Sequence, residues 1–283
     1  MAFHACLAQV NEIINCVSTD LKFWGNSNLL KRVGYKGCAM EKITSRKNPL
    51  CIHLKKLGSD RAYRESCGEF LCDGIKLLED AEKSGIKITA VLTSAHLPFG
   101  LPVDTKVYYA DRGLIDSLSP LKTAQTVLFS CKKPQNQEAS SGKGVLLDGI
   151  QDPGNLGTII RTANAFGINN VILTGACADI YNPKTIRATM GAIFRQNISY
   201  MDIHELTSLK GNGGRFVGAV LDEDTKDFRK ADLANSIIAI GSEGKGLSAE
   251  VLALCDEKIM IPISDECESL NAAVAAGIIL FSV

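Results

Sequence analysis

The chain has 283 residues, of which 46% are hydrophobic and 22% are charged, and its basic and acidic residues cancel to no net charge. This composition is typical of a globular protein with one large or two small domains, and it gives no overall attraction to nucleic acid or membranes. No apolar run approaches the roughly 20 residues of a membrane helix, and polar residues interrupt the first twenty positions where a signal peptide is apolar. We therefore expect a cytoplasmic protein with no membrane partner.

Ten cysteines are scattered along the chain, without a C-x-x-C pair and without histidines at metal-ligand spacing beside them. A free cysteine behaves as a small hydrophobic residue, and disulfides need an oxidising compartment that nothing in the sequence indicates. We expect reduced, mostly buried thiols and no bound metal.

The first half of the chain contains an extension and a small domain. Residues 1–40 hold the only tryptophan but no periodic pattern, so we interpret them as an extension of unknown role. Residues 41–131 predict a small α/β domain in which a helix starts with Phe70, Leu71, Ile75 and Leu78 and ends near Gly85. Strand patterns follow at Ile88 to Thr93, Lys106 to Ala110 and Thr126 to Ser130.

A second domain is predicted over residues 144–283, after a polar linker at residues 132–143. Helical patterns alternate with strands, which favours a largely parallel, buried sheet. The closing segment has helical spacing, with Ser269 as an expected N-cap. The predicted strands are Val145–Asp148, Val171–Thr174, Phe216–Leu221, Ser236–Gly241 and Lys258–Ile263.

Three polar, glycine-containing segments follow strands of this domain, where open α/β sheets bind ligands. In the first, Asp148 to Arg161, a Pro-Gly turn leads into a helix that Gly167 stops, and an arginine near a helix start suits an anion. The second, Gly241 to Leu247, is neither a P-loop nor a dinucleotide fingerprint. The third, Ile261 to Asn271, turns into the last helix, and its polar residues face a pocket or only cap that helix.

Together these segments resemble the motifs of the SpoU-type (TrmH-like) RNA ribose 2′-O-methyltransferases, which belong to the SPOUT class. The N-x-G-x-x-x-R element is matched by Asn155, Gly157 and Arg161. The G-S-E-G-x-G element is matched by Gly241 to Gly246, and the S-L-N element by Ser269, Leu270 and Asn271. The resemblance covers Val145 to Val283, and Glu41 to Ser130 looks like the small substrate-binding domain that precedes it in such enzymes.

This resemblance implies an α/β fold with a trefoil knot in the parallel-sheet domain, bound S-adenosylmethionine, and a homodimer whose active site draws on both subunits. The implied catalytic residues are Arg161, Asn155, Glu243, Ser269 and Asn271. The implied cofactor-binding residues are Leu173, Thr174, Gly241, Gly244, Ile261, Ile263 and Leu270. The sequence departs from the family at Asp265, where glycine is usual, so an acidic side chain there must point away from the cofactor or reshape the loop.

The family assigns Arg161 to activating the ribose hydroxyl. A guanidinium stays protonated at neutral pH, so we expect Arg161 to stabilise the developing alkoxide and to hold the adjacent phosphate. For RNA, residues 42–64 hold seven basic side chains against one acid, a local excess in a neutral chain. The predicted RNA-binding residues are Arg46, Lys47, Lys55, Lys56, Arg61 and Arg64; the alternative is an ordinary solvated face.

Ribosomal RNA is the preferred substrate because enzymes with this added N-terminal domain often act on it, and transfer RNA stays open. A binding-only protein that keeps the fold without catalysis is the main alternative, favoured by Asp265 and opposed by Arg161, Asn155 and Glu243. A nucleotide- or nicotinamide-dependent enzyme is the second alternative, and the missing phosphate-loop fingerprints oppose it.

Overall fold

A computed structural model describes residues 41–102, 104–134, 138–222 and 225–283 of the chain. The predicted extension at residues 1–40 lies outside these residues. The described part forms one compact unit that contains two sheets. None of its helices is both long enough and apolar enough to cross a membrane.

The first sheet has five strands in the order β1-β4-β3-β5-β2. β1, β4 and β3 are parallel, while β5 runs antiparallel to both β3 and β2. The strands are β1 Glu41–Ile43, β2 Glu69–Asp73, β3 Ile88–Thr93, β4 Lys106–Ala110 and β5 Val127–Lys132. The helices are α1 Pro49–Ser59, α2 Arg61–Cys67, α3 Ile75–Lys83 and α4 Arg112–Leu118.

The helix predicted from Phe70 onward is in fact a strand followed by a helix. Phe70 and Leu71 belong to β2, and α3 begins only at Ile75, after Gly74 at φ 130°. Both side chains are fully buried although they point to opposite faces of the sheet, because both faces are covered. An apolar run buried on two faces has no alternation, so its chance helical spacing was misleading.

The second sheet confirms the predicted parallel α/β architecture. Its seven strands are all parallel, in the order β10-β12-β9-β11-β6-β7-β8. They are β6 Gly144–Asp148, β7 Asn170–Thr174, β8 Asn197–Tyr200, β9 Arg215–Ala219, β10 Lys226–Asp227, β11 Ser236–Gly241 and β12 Glu257–Met260. The helices are α5 Pro153–Ala165, α6 Pro183–Thr189, α7 Ile203–Gly211, α8 Ala249–Leu254 and α9 Ala272–Leu280.

The two helices that border the predicted site each begin at a side-chain N-cap. α5 starts at Pro153, so the predicted Pro-Gly turn is its first turn, and the Asp152 carboxylate accepts from the Asn155 amide as N-cap. α9 starts after Asn271, whose side chain caps it, and the predicted cap at Ser269 is wrong. Only the cap residue's side chain reaches the free amides of the first turn.

The predicted linker begins inside the first sheet, because Lys132 is the last residue of β5. Beyond it, the Lys133 amide donates to the Gly68 carbonyl. Nearer the second sheet, the Asn170 side chain donates to the Ser140 carbonyl. Hydrogen bonds therefore attach both ends of this segment to the folded chain.

Candidate active site

A cavity of about 430 Å³ opens at the carboxyl ends of β9, β11 and β12. This is the edge at which parallel α/β sheets bind ligands, and the volume is that of a small-molecule site. The lining includes five of the predicted cofactor residues, Gly241, Gly244, Ile261, Ile263 and Leu270, together with the predicted catalytic residues Glu243 and Ser269.

The other two predicted cofactor residues lie elsewhere. Leu173 and Thr174 end β7, which is separated from β11 by β6, and neither residue lines the cavity. Leu173 is fully buried inside the sheet. The prediction for these two residues is therefore not supported by their position in this chain.

The glycine-rich loop after β11 is a tight turn. Ser242 and Gly246 exchange two backbone hydrogen bonds of 3.1 and 2.9 Å, and Gly246 has a φ of 64°. A Cβ on Gly241 would overlap the backbone of Gly246 and Leu247. Glycine is thus required at both positions, since one needs a left-handed conformation and the other has no room for a side chain. The turn leaves backbone groups accessible on the wall of the cavity.

Sequence reasoning missed two charged residues of the cavity wall, one after β9 and one in β12. These are Asp222 and Lys258, and their side chains form an ion pair of 3.9 Å. The available signal was that strand ends neighbouring a glycine-rich loop share its edge of the sheet. Which strands are neighbours depends on the strand order, however, and the sequence did not show that β9 lies between β11 and β12.

The three predicted motifs meet through side chains at the cavity. The Asn155 amide group donates to the Glu243 carboxylate, and Asn271 donates to the Asn155 carbonyl oxygen at 3.1 Å. Asn271 also accepts from the Ala273 and Val274 amides at the start of α9. This network joins the start of α5, the loop after β11 and the start of α9. It holds Glu243 at the cavity in one orientation.

Arg161 lies outside this network. It is six residues after Asn155, which places it about 240° around α5 and about 9 Å along it. Its side chain is exposed, does not line the cavity, and makes no hydrogen bond or ion pair with the rest of the described chain. Within one protomer, therefore, the implied catalytic arginine is not part of the cavity wall.

The departure at Asp265 does not affect the cavity wall directly. Asp265 is exposed in the loop between β12 and α9 and is not among the lining residues. Ile263 and Ser269, on either side of it, do line the cavity. The acidic side chain therefore points away from the cavity, the first of the two outcomes expected from the sequence.

The basic segment of the first sheet is exposed at five of its six predicted RNA-binding residues, Arg46, Lys47, Lys55, Lys56 and Arg61. Arg64 is the exception and corrects the prediction. Its side chain is only 4% exposed and donates to the Asp179 carboxylate at 2.6 Å and to the Leu57 carbonyl at 2.7 Å. Because its donors are committed inside the protein, Arg64 is not available to a phosphate.

The second sheet is parallel and has a cavity of small-molecule size at its carboxyl edge. This combination is typical of α/β proteins that bind a small molecule. Residues 143–281 match the SpoU rRNA Methylase family. The 23S rRNA (guanosine(2553)-2′-O)-methyltransferase RlmP of Bacillus subtilis is 32% identical over 250 residues, covering 86% of this chain and 98% of that protein. The chain belongs to the SpoU rRNA methylase family, which confirms the resemblance found in the sequence.

Solved structures agree over most of the described chain. The AdoMet-bound rRNA methyltransferase from Sinorhizobium meliloti has a TM-score of 0.76 and 27% identity, covering 86% of this chain and 96% of that one. A putative RNA methyltransferase of the TrmH family from Porphyromonas gingivalis has a TM-score of 0.74 and 31% identity, covering 81% and 94%. Both similarities include the first sheet as well as the second.

Proposed function

We propose that this chain is an S-adenosylmethionine-dependent RNA methyltransferase that modifies a ribose 2′-hydroxyl in ribosomal RNA. The observation that carries the proposal is the Asn155–Glu243–Asn271 network, which joins the three family motifs at the cavity. The reaction and the methyl donor agree with the names of the relatives, one a 2′-O-methyltransferase of 23S rRNA and one an AdoMet-bound enzyme. The preference for ribosomal over transfer RNA rests on the first of these.

The cavity fits the methyl donor in chemistry as well as in volume. Ile261, Ile263 and Leu270 give it an apolar wall, while Gly241 and Gly244 expose backbone donors and acceptors beside them. A nucleoside needs this combination of an apolar surface for the base and a few placed polar groups. When bound, S-adenosylmethionine supplies an electrophilic methyl group, and the chain's own residues orient the hydroxyl that receives it.

Those residues act mainly by position and charge. An in-line transfer needs the ribose oxygen held near the methyl carbon. Glu243 offers its carboxylate on the cavity wall, and the hydrogen bonds from Asn271 to Asn155 and from Asn155 to Glu243 keep that carboxylate in place. Arg161 is a cation, so it stabilises negative charge that develops on the ribose oxygen and holds the adjacent phosphate.

The test is calorimetric titration of the purified chain with S-adenosylmethionine and, in parallel, with NAD and ATP. We expect selective binding of the methyl donor, followed by methyl transfer to ribosomal RNA extracted from cells that lack the enzyme. Transfer to tRNA only would correct the substrate. Cofactor binding without transfer to either RNA would favour the binding-only protein, and binding of NAD or ATP alone would contradict the family assignment of the cavity.

RNA affinity is expected to fall steeply with salt, because the exposed cations of α1 displace counterions from phosphates. Reversing Lys55 and Lys56 to glutamate should weaken RNA binding at least tenfold at fixed salt and flatten the salt dependence. Fluorescence anisotropy with labelled RNA measures both effects. The matched control reverses Lys83, an exposed lysine on α3 that is already paired with Glu79. Equal losses in both variants would exclude a specific role for α1.

A homodimer is proposed from an apolar stripe on the last helix. Val274 and Ile278 of α9 and Phe281, its C-cap, are spaced i, i+4 and i+7 and are 52%, 36% and 77% exposed. Phe166, the C-cap of α5, extends the stripe and contacts Phe281 with ring centroids 5.6 Å apart. A second copy of this chain fits it best, because Arg161 is exposed on α5 and a two-fold partner offers the cavity that it lacks.

Ile278→Asp is therefore expected to convert a dimer to a monomer in analytical ultracentrifugation and to abolish methyl transfer. Subunit mixing tests the shared site directly. In Gly244→Trp, the new side chain has free space at its Cβ and fills the cavity. Mixing this variant with Arg161→Ala should restore about a quarter of the wild-type rate if Arg161 acts across the two-fold interface. No restoration would place the arginine and the cavity in one subunit.

Three further parts of the proposal follow from the family and from the sequence. We infer a division of the chain into two domains and a linker, predicted as 41–131, 132–143 and 144–283, with Lys132 assigned to the first domain because it ends β5 and the trefoil knot in the last part. We also infer a cytoplasmic location, in keeping with free thiols at every cysteine of the described residues.

A further inference from the structure

A buried ion pair connects the first sheet's helices to the second sheet. Arg64 of α2 binds one carboxylate oxygen of Asp179, through Nη2 at 2.6 Å and Nε at 3.2 Å. Asp179 lies in the loop between β7 and α6, and its side chain is 10% exposed. Charge-assisted bonds of this kind, shielded from water, fix the two segments closely against each other.

Aromatic packing beside the ion pair strengthens this junction. The ring of Phe70 in β2 lies 4.8 Å from that of Tyr181 and 6.4 Å from that of Phe194. Lys133 places its ammonium 4.7 Å from the centre of the Tyr181 ring. Burial raises the pKa of the Tyr181 phenol well above its usual range. Because these contacts are tightly packed, groups on the rim of the junction are held in fixed positions.

Two such rim groups come from opposite sides of the junction. Arg61 is exposed one helical turn before Arg64, and it makes no ion pair with any described residue. Tyr200, the last residue of β8, is 43% exposed. Both groups border Asp179. Tyr200 hydrogen-bonds to the backbone of Ile180, the residue after Asp179, and Arg64, one turn after Arg61, binds the Asp179 carboxylate. Burial of its inner part raises the pKa of Tyr200 to about 12, so the ring is neutral at physiological pH.

Tyr200 lies between the cavity and α1. β8 ends at the same carboxyl edge as β11 and is the third strand from it, a distance of about 14 Å at the usual strand spacing. On the other side, Arg61 follows α1, which carries Lys55 and Lys56. An RNA strand that reaches from the cavity to α1 along this edge crosses Tyr200 and Arg61.

We infer that Tyr200 and Arg61 form a binding site for an unpaired nucleotide of the RNA substrate. The base stacks on the exposed ring of Tyr200, and the Arg61 guanidinium contacts the neighbouring phosphate. Aromatic rings beside cations are the usual means of binding single-stranded RNA, because every base has a face that can stack. The inference rests on the proposed function, since it assumes an RNA substrate. It adds that the substrate is single-stranded a short distance from the methylated ribose.

The test measures binding of a fluorescein-labelled oligouridylate of about twelve nucleotides to the full-length chain by anisotropy. Tyr200→Ala should weaken binding about tenfold, since stacking of one base contributes roughly 1–3 kcal/mol. Tyr200→Phe keeps the ring and should bind within about twofold of the wild type. Arg61→Ala should weaken binding and lower the slope of log affinity against log salt by about one. The labelled strand annealed to its complement should bind without sensitivity to Tyr200.

Two other measurements separate this inference from the proposed function. Calorimetric binding of S-adenosylmethionine should be unchanged in Tyr200→Ala, and its sedimentation should match that of the wild type. Wild-type affinity of Tyr200→Ala for the single strand would overturn the inference, as would a wild-type chain that does not bind the probe. Altered sedimentation would overturn it too, because the ring would then belong to a protein interface. A chain that binds no methyl donor would instead refute the proposed function.

Discussion

Replacing Arg161 with alanine is expected to lower the rate of methyl transfer at least a hundredfold, while the affinity for S-adenosylmethionine changes less than about threefold. The rate and the cofactor affinity should respond differently because of where the Arg161 side chain lies. Arg161 does not line the cavity, so it contributes nothing to cofactor binding within its own protomer. Its charge acts on the ribose oxygen, where negative charge develops, and on the adjacent phosphate. Single-turnover transfer to ribosomal RNA and calorimetric titration of the cofactor measure the two effects separately.

Arg195 offers a matched control for that experiment. It is also exposed, and its Nε donates to the Asn164 side chain one turn beyond Arg161 on α5. Arg195→Ala removes the same charge from nearby surface and should keep a rate within about threefold of the wild type. If Arg195→Ala lost as much activity as Arg161→Ala, the loss would come from the lower positive charge of this surface and not from Arg161 itself. A nearly active Arg161→Ala would remove the arginine from the mechanism.

Central strands of both sheets were the part of the fold predicted best from the sequence, and Ile88–Thr93 and Lys106–Ala110 of the first sheet have the predicted bounds. The boundaries of Ser236–Gly241 agree fully, because this buried parallel strand is a continuous β-branched and apolar run. β8 was missed because its NISY sequence is half polar at the sheet edge, and β10 was missed because two residues carry no pattern. Periodicity thus identifies central strands and fails for short edge strands.

The sequence predicted the site residues that lie together in one segment. It did not predict those whose place at the cavity depends on the order of the strands. The glycine loop and the Asn271 segment could be placed at the cavity because each follows a strand directly. Leu173 and Thr174 also end a strand, but theirs lies on the β6 side of β11, whereas the cavity opens on the opposite side, at β9 and β12. Local sequence does not encode which strands are neighbours, so it cannot distinguish these cases.

The structural role of Arg64 could not be predicted from the sequence either. In the sequence it is one of seven cations in a basic segment, and its partner Asp179 is 115 residues away. Arg61 and Arg64 are three residues apart on the same short helix, yet one is exposed and the other buried. Only the packing of α2 against the loop after β7 decides between a phosphate-binding residue and a structural one.

Arg64→Met is therefore expected to lower the free energy of unfolding by about 3–5 kcal/mol, since it leaves the Asp179 carboxylate buried without its partner. Urea denaturation followed by circular dichroism measures the loss. The matched control is Asp116→Asn, which breaks an exposed Arg112–Asp116 pair of similar length, 2.7 Å, within α4. Exposed pairs contribute little, so the control should change stability by less than about 1 kcal/mol.

A second variant decides whether the loss comes from the unpaired charge or from the missing contact. In Arg64→Met combined with Asp179→Leu, both charges are replaced by apolar side chains of similar size, and stability should recover most of the way to wild type. If the double variant stayed as unstable as Arg64→Met, the bond from Arg64 to the Leu57 carbonyl would be the dominant contribution. Recovery would mean that the ion pair mainly fixes how α2 packs against the loop between β7 and α6. Apolar packing would then supply similar stability without fixing that orientation.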